Sequence, residues 1–118
     1  MGNDATAIMC YGVLVDNKHQ FPWYKEDSDF ESYCENHDID ISNIVESWAG
    51  YGTEDYDNNR NIFAIKKTFK AIDASDEPIE LTRVVIDGDD TFDFMMFCKD
   101  VLKIKDPKPI WFLACYYG

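Results

Sequence analysis

The chain has 118 residues and a formal net charge of −12 at pH 7, from 23 acidic and 11 basic side chains. Hydrophobic residues make up 46% and aromatics 15%, too rich for acidic disorder, so one folded domain over 1–118 is expected. The carboxylate excess excludes direct nucleic-acid binding, because its field repels phosphate, and no apolar run has the length of a membrane helix.

At the N-terminus, MGNDATAIM has neither the basic region nor the long apolar stretch of a signal peptide. A soluble, cytoplasmic chain is therefore expected. The run 6–16 (TAIMCYGVLVD) has strand length. Ile8, Cys10 and Leu14 fall on one face and Met9, Tyr11, Val13 and Val15 on the other, which describes an inner strand covered on both sides. A turn at Asp16-Asn17-Lys18 leads into the extended Phe21-Pro22-Trp23.

Ser28 and Glu31 have capping-box spacing and open a short helix to about residue 36. A second helix is expected over 41–49, with Ile41, Ile44, Val45 and Trp48 on one face and Gly50 as its stop. Residues 51–59 read as a polar loop. The stretch 61–72 fits both periods: Ile62, Ile65, Phe69 and Ile72 make a helical stripe, while its short length and β-type residues favour a strand. A turn at 73–77 precedes a strand candidate or extended segment at 79–86. Asp90 caps a helix to about residue 104, with Lys99, Lys103 and Lys105 near its C-terminal end. The closing IWFLACYYG again has two apolar faces. The fold class expected is α+β: a small mixed or antiparallel sheet of three to four strands with about three helices packed on it. Three short helices do not cover two sheet faces, which leaves one as a partner or homodimer surface.

Charge is distributed unevenly. Between Glu26 and Asn59 stand eleven carboxylates and no Lys or Arg, interleaved with Phe30, Tyr33, Trp48, Tyr51 and Tyr56. The block reads either as a solvated face that keeps the protein soluble or as a surface imitating the phosphate backbone in a basic groove. For the second reading, Glu31, Glu35, Glu46, Asp55 and Asp57 supply charge, and Tyr51 and Tyr56 supply aromatic anchors. Trp23, in a polar segment, is a further exposed-aromatic candidate, whereas most of the other aromatics are expected in the core.

The order of YG in the first strand, FPW, an acidic helix, WAGYG, IKKT and a final helix and strand ending ACYYG resembles small uncharacterised accessory proteins of tailed bacteriophages. The resemblance covers most of the chain and rests on structural punctuation. It implies an accessory or host-interaction role with no activity attached.

Motifs for chemistry are sparse. In Asp87-Gly88-Asp89-Asp90 the Gly follows the first Asp directly, unlike a calcium loop, and a turn with a helix cap explains it. Cys34-x-x-His37 offers two zinc ligands where four are needed. The four cysteines are scattered and read as reduced, buried thiols. No catalytic set, metal or cofactor is expected. The reading is therefore a non-enzymatic acidic protein that occupies a basic site, of the kind that binds nucleic acid, on a host or defence protein. The alternatives are a binder of small nucleotide-like ligands in an aromatic-lined pocket and a small enzyme of unknown reaction.

Overall fold

The computed structural model describes residues 5–16, 18–27, 29–50, 60–74, 76–81 and 84–117. Its centre is the long strand β1 (Ala5–Val15), surrounded by β2 (Ile44–Ala49), β3 (Arg60–Ile65), β4 (Lys70–Asp73) and β5 (Ile110–Tyr117). The helices are α1 (Trp23–Glu26), α2 (Phe30–Asn36) and α3 (Gly88–Asp100). Every strand pairing is antiparallel. The fold is α+β as expected, but among the described residues the sheet has five strands rather than three or four. Two local outcomes enlarge it: 61–72 divides into β3 and β4, and the segment expected as a second helix is β2.

The registers fix the arrangement around β1. β4 and β5 both pair with Thr6–Met9, and β3 and β5 both pair with Gly12. A strand residue has one partner per edge, so β3 and β4 follow one another along one edge of β1 while β5 takes the other. Between β3 and β4 a 3-10 turn, Lys66–Thr68, interrupts the ladder. Thr68, fully buried, repairs the gap: its Oγ1 accepts the Tyr11 N–H at 2.9 Å and donates to the Ile65 carbonyl at 2.7 Å. Both groups would otherwise be buried without partners.

β2 lies outside β3, in register from Ile44↔Ile65 to Ala49↔Arg60. Ile44, Val45 and Trp48 fit a helical stripe, but β-branched and aromatic residues also suit a pleated surface, and tertiary pairing decides. Just beyond β2, Gly50 has φ 125°, a region open to glycine, and its N–H donates to the Cys115 carbonyl at 3.0 Å. The outermost strands thus meet and curl the sheet around Ile8, Cys10, Ile62 and Ala64, all buried. Gly12 permits the curl. A Cβ there would lie 2.2 Å from the Phe63 carbonyl oxygen and 2.7 Å from the Ala64 Cα.

The opposite face carries the main core. Val13, Val15, Phe63 and Ile65 pack there with Phe21, Trp23, Phe30, Cys34, Phe94, Cys98 and Leu102. Trp23 is buried and stacked on Phe21 at 4.4 Å between ring centroids, so it is an anchor of the core and not an exposed aromatic. The cap of α2 is Asp29, one residue beyond the expected Ser28, and its Oδ1 accepts the Ser32 N–H at 2.8 Å. α3 begins earlier than expected because Asp87 and Asp90 form a reciprocal capping box, with bonds of 2.8 and 3.3 Å. It also ends earlier, at Asp100. The strand candidate or extended segment at 79–86 has no regular secondary structure in its described residues, 79–81 and 84–86. Among the described residues, no helix is long and apolar enough to cross a membrane.

The helices cover only part of their sheet face. Toward the start of β1 that face is open: Leu113 is 78% exposed, and Trp111, Cys115, Ile79 and Leu81 are also exposed. The reading of β5 as a strand buried on both faces is therefore corrected.

Candidate functional site

α2 and β2 are remote in local geometry but adjacent in space, because both pack over Phe63. Phe30 of α2 has its ring centroid 5.2 Å from that of Phe63, and Glu46 of β2 stands directly opposite Phe63 in the ladder. The alternation of β2 puts Ile44, Glu46 and Trp48 on this helix-covered face. On the expected helix, Glu46 belonged to the polar side. As a strand residue it is half-buried at the edge of the core.

The cost falls on its carboxylate. Burial, then the charges of Glu31 and Asp29, push the Glu46 carboxyl from 4.5 up to about 7. Among the described residues, the ion pairs engage other carboxylates: Asp27 with His37, Asp90 with Lys67 and Asp106 with Lys108. Asp29, Glu31 and Glu46 thus gather on one face with no paired cation among the described residues. Asp29 itself stays ionised more readily than usual, because the Ser32 backbone N–H bonds its carboxylate. The same field reaches Tyr24 and Cys34. The Tyr24 hydroxyl is raised by burial and then by Glu46, and the Cys34 thiol is raised to about 11 by the same two causes. Two large aromatics border the carboxylates and meet solvent: Tyr24 is 52% exposed and Trp48 47%.

The expected charge residues Glu31 and Glu35 lie exposed on α2, and Glu46 joins Glu31 across the α2–β2 seam. Tyr51, Asp55, Tyr56 and Asp57 lie outside the described residues. Not every acid of the block is available to a partner. Asp27 has only 7% of its side chain exposed; its Oδ1 accepts from Asn36 at 2.6 Å, and its Oδ2 lies 4.0 Å from His37 Nε2. It ties the end of α1 to the end of α2. Trp48 and Tyr24 were missed as surface aromatics: the helical stripe assigned Trp48 to the core, and Tyr24 stood beside two aromatics that are buried. Ile44-Val45-Glu46-Ser47-Trp48 does not alternate apolar with polar, so only the strand pairing with β3 places Glu46 and Trp48 together on one face.

Comparison of the chain with protein-family models, curated proteins and solved structures gives no match.

A cleft of about 370 Å³ lies between β2, β3 and α3, with Ile44, Ile65, Phe94 and Phe97 among its walls. Asp40, Asp90 and Asp93 also line it, against Lys67, whose Nζ donates to Asp90 Oδ2 at 2.5 Å. Asp90 is held below the usual carboxylate range chiefly by that bond. Three carboxylates and one committed ammonium make a poor host for phosphate, which weakens the nucleotide-like-ligand alternative. Cys34 and His37 diverge: Cys34 is buried, while the His37 ring packs on Tyr33 at 4.3 Å between centroids. Among the described residues, no three His, Cys, Asp or Glu side chains gather as a metal would require.

Proposed function

We propose that the protein is a non-enzymatic binder whose acidic, aromatic face engages a basic protein surface. The observation that carries this reading is the convergence of Asp29, Glu31 and Glu46 with no paired cation among the described residues, bordered by exposed Tyr24 and Trp48. Like charges held together destabilise the free protein, and a cationic partner relieves exactly that repulsion on binding. Tyr and Trp at the border provide rigid area of the kind that anchors interfaces. Glu35, farther along α2, extends the negative surface. A basic site that normally holds nucleic acid suits such a face, because it is built to exchange counterions for a dense row of negative charge. The resemblance to phage accessory proteins is in keeping with an inhibitor of a host or defence protein.

The test captures partners from a bacterial host lysate at about 0.1 M salt and repeats the capture at about 1 M, where the Debye length falls from about 10 to about 3 Å. The partner is expected to be released by salt and displaced by DNA. It is also expected to be lost when Glu31→Lys, Glu35→Lys and Trp48→Ser are combined, positions whose exposure should leave the fold intact. A partner indifferent to all three treatments would overturn the reading.

A further inference from the structure

We propose that the helix-free half of the sheet is a two-fold self-association surface, on which Leu113 of each copy enters an apolar recess of the other. Cross-strand pairs put Met9 beside Leu113, Tyr11 beside Trp111 and Ala7 beside Ile72 on the face that α2 and α3 leave open. The chain at 79–81 lies along its border. Between that segment and Leu113 is an apolar recess of about 190 Å³, floored by Met9 and Ile72, with Lys70 its sole charged lining residue among those described. Leu113 is the most exposed large hydrophobic among the described residues, at 78%.

A projection and a recess on one surface are what an isologous interface requires, since the same patch must complement itself under a two-fold axis. The chemistry also matches: the recess takes an aliphatic side chain, and the neighbouring projection is one. Exposed Leu113, Leu81, Trp111 and Ile79 alone present on the order of 500 Å² of apolar surface, against roughly 800 Å² contributed by each partner in a standard interface. Among the described residues no carboxylate lines the recess, though Glu80 stands between Ile79 and Leu81, so two copies bearing −12 each would meet there over apolar surface.

This inference is independent of the acidic face, and salt separates the two. Engagement of a basic partner weakens as salt rises, whereas self-association of two like-charged copies strengthens as repulsion is screened. Sedimentation equilibrium of the full chain should find a monomer–dimer equilibrium with a dissociation constant of about 10–100 µM, tighter at about 0.5 M than at about 0.05 M salt. Leu113→Asp and Leu81→Asp should each raise that constant at least tenfold while leaving the far-UV circular dichroism unchanged. Tyr24→Ser, on the acidic face, should leave it unaltered. Labelling of Cys115, which shares the strand face with Leu113, should slow as protein concentration rises through the same range. A chain that stays monomeric to about 500 µM at both salts would overturn the proposal. So would assembly growing beyond two copies, or a dimer that both substitutions leave intact; Leu81→Asp, outside the strands, decides the matter if Leu113→Asp disturbs the fold.

Discussion

Gly12 and the cysteines show how single positions carry the fold. At Gly12 the space for a side chain is filled by the backbone of β3, with the Phe63 carbonyl oxygen 2.2 Å from where a Cβ would sit. Backbone in the middle of a sheet has little freedom to retreat. Gly12→Ala should therefore cost at least the ~1–3 kcal/mol of core overpacking and lower the melting temperature by on the order of 10 °C. A variant melting with the parent would show that β1 and β3 lie farther apart. The cysteines divide three to one: Cys10, Cys34 and Cys98 are buried and Cys115 is exposed. Burial raises the first two to about 11 and Cys98 to about 12, so their thiolate is scarce as well as shielded. Thiol reagent applied to dilute native protein should modify one cysteine fast and three only on unfolding. Mass mapping should find the fast site at Cys115, which corrects the expectation of four sheltered thiols.

Among the elements, β1 and α3 were legible because their signals were local: a long apolar run, and a cap followed by lysines toward the C-terminal end. β2 was not legible. Ile41, Ile44, Val45 and Trp48 satisfy the helical period, and only pairing with β3 selects the strand. That one ambiguity hid the candidate site, since the strand turns Glu46 from the polar side toward Phe63 and leaves Trp48 at the solvent border. β5 failed differently. Its apolar alternation was read correctly as a strand, but where helices land is a tertiary matter, and they land on Val13 and Val15 rather than on Leu113. Substitution separates these environments. Val13→Asp buries an unpaired carboxylate and should cost several kcal/mol, enough to unfold much of a domain with about 5–15 kcal/mol of stability. Leu113→Asp, compared with the parent monomer, should stay within about 0.5 kcal/mol. Denaturant unfolding at low protein concentration measures both, and equal losses would contradict the half-covered sheet.

At the scale of the whole molecule, the net charge of −12 is unevenly spread, and its clearest consequence is one carboxyl group. Glu46 is pressed by burial and by Glu31 and Asp29 until it titrates at about 7 instead of 4.5. Below pH 4.5 both folded and unfolded chains hold that proton and the group has no effect on stability. Between 4.5 and about 7 the unfolded chain ionises more readily than the folded one, so stability falls as pH rises, and above about 7 the loss is complete. Glu46→Gln should accordingly raise the melting temperature at about pH 8 and leave it unchanged at about pH 4. The most direct measurement is the titration of the Glu46 side-chain carboxyl itself by carbon-detected NMR in the folded protein. A midpoint near 7 that drops when Glu31 is replaced by Gln is the result predicted for carboxylates crowded on one face. A midpoint near 4.5, indifferent to Glu31→Gln, would contradict it and remove the basis for the acidic binding face.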